Sequence, residues 1–199
     1  MIIDDKKIET DRLYLYKVNK LNDDSSWWEF FTNLISDSDV SSMGWGDINP
    51  KKMNNLDLNK KKYELCKHFN EKGYGQFAVS LKENGKWIGY CQLRKLDNPS
   101  DELINYYKMK GWTYEPNVDE VELLYAYIKD SWGSGYATEA AKSVIEFGFN
   151  EYKIKSISAC VKKDNLNSQK ILKKLNMIQC ENLKYSEPTD LYFKITNNK

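Results

Sequence analysis

The chain has 199 residues, of which 41% are hydrophobic and 14% aromatic, and its formal net charge is +1 at pH 7. This composition is typical of a folded globular protein and argues against intrinsic disorder. Arg12 and Arg94 are its two arginines. Bidentate recognition of bases and phosphates relies on arginine, and attraction to nucleic acid or an anionic membrane needs a broad positive field, so we expect neither as a partner.

The length and the lack of long apolar runs predict one domain over residues 1–199, located in the cytoplasm. No stretch approaches the ~20 apolar residues of a membrane span, and the first residues lack the apolar segment of a signal peptide. The cysteines lie far apart and lack the spacing of metal ligands. We therefore expect a reduced protein without a structural metal. The four cysteines are Cys66, Cys91, Cys160 and Cys180.

The first half of the chain predicts a strand, two helices and a hairpin. Residues 13–16 alternate as in a strand, and Ser25 and Ser26 are candidate caps of an aromatic helix. A second helix follows a polar loop, and Asn84-Gly85 forms the turn of the hairpin. The residues expected to face the core are Trp27, Phe30, Phe31 and Leu34 in the first helix and Tyr63, Leu65, Cys66 and Phe69 in the second.

The centre of the chain predicts a strand that runs through a glycine turn into a helix. Residues 121–128 form an apolar run, and small or apolar residues recur at helical spacing from Ala137 to Gly148. Gly133 and Gly135 lie between them. The first amides of a helix have no partner within it and lie at the positive end of its dipole, and glycine lets a ligand approach the backbone. The unit therefore predicts a phosphate-binding turn.

This turn alone does not choose one ligand, because several classes of binding protein use a strand, a Gly-x-Gly turn and a helix. A P-loop is excluded, since Gly135 is followed by Tyr136 and not by lysine. The dinucleotide fingerprint is excluded because Thr138 stands where a third glycine or alanine is needed. Coenzyme A and a structural turn that binds nothing remain open.

The last third predicts a strand, a short helix and two closing strands. Residues 154–161 read as a strand, and residues 164–168 form a turn that caps the helix. Residues 177–180 and 191–195 are the closing strands. A hairpin combined with strand–helix–strand units predicts a mixed sheet with helices on both faces.

The sequence resembles the GCN5-related N-acetyltransferases (GNAT) at several positions. These are Glu122, Tyr125, the run Trp132–Ala140, the turn at residues 164–168 and the segment 174–177. More narrowly, they resemble the branch that contains the ribosomal-protein N-terminal acetyltransferases. Two further segments, Ile8–Leu15 and Gly85–Gly89, are similar to the same branch. The resemblance implies an α/β (α+β) fold: a mixed, mostly antiparallel sheet of about six or seven strands, with helices on both faces and a splayed central strand pair.

The resemblance implies that acetyl-coenzyme A is the co-substrate, with no metal, and that the acceptor is a primary amine on a protein N-terminus or a small molecule. The amine would attack the thioester directly in a ternary complex, in a monomer or a homodimer. The diphosphate would lie on the amides of the glycine turn, and the pantetheine arm would pair with the strand backbone. The residues so implied for the coenzyme are Ala126, Ile128, Trp132, Gly133, Ser134, Gly135, Tyr136, Ala137, Asn165 and Ser168.

Catalysis requires a group that takes the proton of the amine, because a charged amine does not attack a carbonyl carbon. Glu122 interrupts the apolar strand beside the expected gap and is the first candidate; the alternative is an outward residue with a lysine partner. Tyr125 is a second candidate, although strand aromatics are commonly core residues. The resemblance implies that Ser168 lies near the sulphur, where it would donate a hydrogen bond; the alternatives are a helix cap and a small packing residue. Relatives with a tyrosine acid carry it where this chain has Leu172.

The acceptor pocket is expected among aromatic and acidic residues of the first helix and the irregular segments. Two functions of other classes stay open: a catalytically silent coenzyme-binding domain, suggested by Leu172, and a nucleotide or flavin binder that uses the same turn. The lone histidine, His68, is interpreted as a surface residue. The candidate pocket residues are Trp28, Trp45, Trp112, Tyr185, Asp37, Asp39 and Asp47.

Overall fold

A computed structural model describes residues 2–41, 55–95, 121–180 and 190–197. Within these ranges the chain forms nine strands and five α-helices. They are β1 (Ile2–Ile3), β2 (Lys7–Glu9), β3 (Leu13–Lys17), α1 (Ser25–Ser36), α2 (Ser38–Ser41), α3 (Asn55–Lys72), β4 (Gln76–Leu81), β5 (Trp87–Lys95), β6 (Val121–Tyr127), α4 (Tyr136–Glu151), β7 (Ser156–Lys162), α5 (Leu166–Lys174), β8 (Ile178–Cys180) and β9 (Asp190–Thr196).

The strands form one mixed sheet in the order β1-β2-β3-β4-β5-β6-β7-β9-β8. The pair β6–β7 is parallel, and the other neighbouring pairs of the described strands are antiparallel. The expected mixed and mostly antiparallel sheet is therefore confirmed. It has more strands than the six or seven expected, because β1 and β2 are short strands that extend one edge.

The sheet has a hydrophobic core on each face. Side chains of a strand point alternately to the two faces, so Leu123 and Tyr127 of β6 pack with Ala140 of α4, and Ala126 packs on the opposite side with Phe31 of α1. The helices on both faces are thus confirmed. Ala140 and Ala141 of α4 are fully buried, and their small side chains let this helix lie close to the sheet.

Two local expectations are wrong in detail. Helix α1 is capped by Asp24, whose carboxylate accepts a hydrogen bond from the Trp27 N–H at 3.1 Å, and not by Ser25 or Ser26. Tyr63, which was expected to face the core, is 65% exposed. The other three residues expected there, Leu65, Cys66 and Phe69, are buried. The aromatic face predicted for α1 is confirmed.

Within the ranges given above, no helix is both long and apolar enough to cross a bilayer. In the same ranges, no group of three or more histidine, cysteine or acidic side chains is arranged to hold a metal ion.

Candidate functional site

Strands β6 and β7 pair at their first residues and then diverge. Their register contains Val121 opposite Ile157 and Glu122 opposite Ser158, and no further pair. Beyond this point β6 stays paired with β5 up to Tyr127, and β7 stays paired with β9. The backbone groups of the two strands that face each other beyond Glu122 therefore line a gap in the sheet, which is the splayed central pair expected from the resemblance.

The backbone of β6 alternates between the gap and β5. The Ile128 N–H donates to the Ile88 carbonyl at 2.9 Å, and the Ile128 carbonyl accepts from Ser131. The Ala126 carbonyl also points toward β5, since a Cβ added at Gly89 would collide with it. Because an antiparallel strand presents every second residue to the same neighbour, the groups that face the gap belong to Leu123, Tyr125 and Tyr127. The backbone groups of Ala126 and Ile128, which the resemblance implies as partners of the pantetheine arm, therefore point away from the gap.

The turn after β6 leaves its amides open. Gly133 and Gly135 adopt positive φ angles of 76° and 82°, and Gly135 is the N-cap residue of α4 without a side-chain cap. Within the described part of the chain, the backbone N–H groups of residues 133–137 donate to no acceptor. Among the described residues, no atom lies within 4 Å of a Cβ added at Gly133. An exposed helix start with unpaired N–H groups is the geometry that an anion site requires.

Arg12, which no motif of the sequence assigns to a site, lies against this turn. The Arg12 guanidinium donates through Nη1 to the Ser134 carbonyl at 3.0 Å and through Nε to Glu139 Oε2 at 2.7 Å. Its Cζ atom lies 4.6 Å from the centre of the Tyr136 ring. Arg12 and the turn are more than a hundred residues apart in sequence, so helical or strand periodicity could not have predicted their contact.

Tyr125 and Ser168 meet across the gap. The Tyr125 hydroxyl donates to the Ser168 carbonyl at 3.5 Å, and so connects β6 to the first turn of α5. Asn165 is the N-cap of α5, because its Oδ1 accepts from the Ser168 N–H at 3.0 Å. Burial raises the pKa of Tyr125, so its hydroxyl is neutral and a hydrogen-bond donor at neutral pH. Leu172 is 1% exposed and belongs to the core.

Glu122 lies on the other face of β6, at the end of the gap where the strands still pair. Its Oε2 is 2.5 Å from Arg94 Nη2, and the two residues are cross-strand neighbours. The Glu122 side chain is 15% exposed. The predicted partner of an outward Glu122 was a lysine, and the structure supplies the second arginine of the chain instead.

The candidate acceptor residues are not brought together in the described part of the chain. Trp28 donates through its indole N–H to the Leu21 carbonyl at 2.9 Å, and Asp37 accepts from the Asp39 N–H at 2.8 Å. Asp39 also pairs with Lys129 at 2.5 Å. The contacts of Trp28 and Asp37 are local, whereas Asp39 ties α2 to the turn after β6 through Lys129. The other candidates lie outside the described residues: Trp45, Asp47, Trp112 and Tyr185.

The sheet, the gap and the open helix start together define an acyltransferase of the GNAT class, and the sequence comparison agrees. The model of the acetyltransferase (GNAT) domain matches residues 12–178. The chain therefore belongs to the GNAT family of acetyltransferases.

Individual proteins are similar over nearly the whole chain. The uncharacterized protein YkkB of Bacillus subtilis (strain 168) is 25% identical over 200 residues, which cover 96% of this chain and 97% of YkkB. An acetyltransferase of Agrobacterium tumefaciens str. C58 superposes with a TM-score of 0.71 at 17% identity, over 99% of this chain and 98% of that one. The microcin C7 self-immunity acetyltransferase MccE, solved with acetyl-CoA and AMP, gives 0.65 at 14% identity, over 98% of both chains. At these identities, the two solved structures show that the fold is shared.

Proposed function

We propose that the protein transfers the acetyl group of acetyl-coenzyme A to a primary amine, by direct attack in a ternary complex. The observation that carries this proposal is the gap between β6 and β7, which begins after Glu122 and runs toward the turn at residues 133–137. A gap between two strands accepts an extended arm through backbone hydrogen bonds, and an open helix start accepts a diphosphate. Coenzyme A combines these two features in one ligand. The neighbour MccE, which holds acetyl-CoA, supports this choice.

In this proposal the diphosphate lies on the amides of residues 133–137, and Trp132 flanks it. The pantetheine arm follows β6 and pairs with the backbone of Tyr125, the middle one of the three residues that face the gap. This placement moves the arm's partner by one residue from Ala126. The thioester then lies near Ser168, and Asn165 is left at the rim of the gap.

The chemistry needs groups on both sides of the thioester. The amine attacks the carbonyl carbon and loses a proton, a tetrahedral oxyanion forms, the C–S bond breaks, and the coenzyme thiolate takes up a proton. We assign the acceptance of the amine proton to Glu122 and the donation to the thiolate to Tyr125. The two residues point to opposite faces of β6, as the approach of an amine from one face and a thioester on the other requires. Much of the rate comes from this positioning.

Release of free thiol from acetyl-CoA tests the proposal. The purified chain is incubated with acetyl-CoA and a set of amines: peptides with a free N-terminus, polyamines, amino acids and aminoglycosides. Binding of acetyl-CoA by calorimetry is measured in parallel. Amine-dependent thiol release supports the transferase. Binding of acetyl-CoA without thiol release in the presence of any amine supports the silent coenzyme-binding domain. Binding of adenine dinucleotides together with no binding of coenzyme A supports a nucleotide binder.

Replacing Glu122 by glutamine is expected to lower kcat about 100-fold, a typical effect for a general base. The amide keeps the size of the side chain and its contact with Arg94 but cannot take a proton. The loss should be largest at low pH, where the amine holds its proton most firmly. The pH profile of kcat is measured for both proteins. Arg94→Gln breaks the same ion pair while keeping the carboxylate, and equal losses in the two variants would mean that Glu122 acts only through the pair.

Replacing Tyr125 by phenylalanine is expected to lower kcat about tenfold and to leave the KM for acetyl-CoA within about twofold. The hydroxyl is lost, but the ring still fills its place in the core. The measurement compares acetyl-CoA with an acetyl thioester of a more acidic thiol, which needs no proton on leaving. A variant that is slowed equally with both donors would contradict the role of Tyr125 as the proton donor.

A further inference from the structure

The contact of Arg12 with the glycine turn joins two distant parts of the chain at the proposed diphosphate site. Arg12 lies in the turn between β2 and β3, and its side chain is 49% exposed. Two of its nitrogens reach different acceptors, Ser134 and Glu139, at 3.0 and 2.7 Å. A Cβ added at Gly135 would lie 3.5 Å from a third nitrogen, Nη2. The guanidinium therefore lies at the rim of the turn.

Glu139, in the first turn of α4, holds Arg12 in this position. Its Oε2 contacts Arg12 Nη2 at 2.7 Å, and its Oε1 accepts from the Thr10 hydroxyl at 2.6 Å and from the Arg12 N–H at 2.9 Å. Both carboxylate oxygens are thus used by the turn between β2 and β3. Partial burial alone would raise the pKa of Glu139, but the hydrogen bonds from Thr10 and Arg12 outweigh it and lower that pKa below its ordinary value of 4.5. Glu139 is therefore charged at neutral pH.

The carbonyl that Arg12 binds belongs to a peptide with unusual freedom. Ser134 lies between two glycines with positive φ, and glycine tolerates several backbone conformations. The carbonyl of Ser134 and the N–H of Gly135 belong to one planar trans peptide and point in opposite directions. Fixing the carbonyl on Arg12 therefore fixes the direction of the Gly135 N–H. If this peptide turned over, a carbonyl oxygen would replace an N–H group at the anion site.

We propose that Arg12 is a positioning residue for the diphosphate: its two-pronged contact with Ser134 and Glu139 keeps the Gly135 N–H directed at the ligand. The proposal rests on the proposed function and adds a residue to it. A positive charge alone does not perform this role, since the guanidinium must donate to both acceptors at once. A lysine has a single nitrogen at its end and cannot reproduce the fork.

The test compares the variants Arg12→Gln and Arg12→Lys with the wild type, using two acetyl donors. Acetyl-CoA contains the diphosphate, and S-acetylpantetheine has the same arm without it. We expect both variants to raise the KM for acetyl-CoA about tenfold, with kcat at saturation within about twofold. The kcat/KM for S-acetylpantetheine should not change. Lys20→Gln, which breaks the exposed ion pair between Lys20 and Asp5, is the matched control and should leave both donors unaffected.

Each outcome decides the proposal. An Arg12→Lys variant that equals the wild type would show that charge alone matters and would overturn the positioning role. Equal losses with both donors would show that Arg12 only ties the elements together, and a melting curve of each variant checks this directly. Calorimetry of the wild type with acetyl-CoA separates a failure of this inference from a failure of the proposed function. If the wild type binds acetyl-CoA and the Arg12→Gln variant has an unchanged KM for it, this inference alone is overturned. If the wild type does not bind acetyl-CoA, the proposed function is overturned as well.

Discussion

Replacing Gly135 by valine is expected to weaken the binding of acetyl-CoA about 100-fold, which corresponds to about 3 kcal/mol. Gly135 has a φ of 82° and is the N-cap residue of α4. A β-branched side chain in this conformation is strained, so the turn must move, and the added methyl groups would occupy the approach of the diphosphate. Calorimetry with acetyl-CoA measures the loss.

The strain itself needs a control, and the chain offers one. Gly85, in the hairpin between β4 and β5, has a φ of 72°, and a Cβ added there would meet no atom of the described parts of the chain within 4 Å. Gly85→Val therefore carries a similar backbone strain at a distance from the site. We expect both variants to lose similar thermal stability, while Gly85→Val keeps full affinity. A folded Gly135→Val protein that binds acetyl-CoA normally would remove the diphosphate from this turn.

The glycine turn was predictable because its signals are local. Strand, glycines and helix follow one another within about thirty residues, and each has its own pattern of apolar residues. The gap between β6 and β7 has no such signal. Both strands read as ordinary apolar runs, and the divergence was expected only because the sequence resembles a family that has it.

Most features of the site that the sequence does not predict depend on contacts between distant elements. Arg12 and Glu139 belong to separate patterns, and nothing in either one indicates their pairing. The direction of the β6 backbone also depends on its partner: the register with β5, in which Gly89 lies opposite Tyr127, turns Ala126 away from the gap. A sequence gives the alternation of side chains along a strand, but the neighbouring strands decide which edge each backbone group faces.

The same register makes Gly89 the position where the smallest substitution should have the largest effect on stability. Gly89→Ala is expected to lower the free energy of unfolding by about 3 kcal/mol, at the upper end for an overpacked core. The added Cβ would collide with the Ala126 carbonyl and the Tyr127 ring. For a chain of this size the melting temperature should fall by roughly 6–12 °C, as differential scanning calorimetry can measure.

Gly148→Ala distinguishes this collision with the backbone from ordinary crowding. A Cβ at Gly148 of α4 would approach the side-chain ends of Leu93 and Ile154, at 2.7 and 3.1 Å. Side-chain ends can shift by rotation, whereas the backbone of β6 is held on β5 by its ladder of hydrogen bonds. We therefore expect Gly148→Ala to cost less than Gly89→Ala. Since Gly89 allows β6 to lie close to β5, Gly89→Ala should also narrow the gap and weaken acetyl-CoA binding, and equal affinities in the two variants would contradict this coupling.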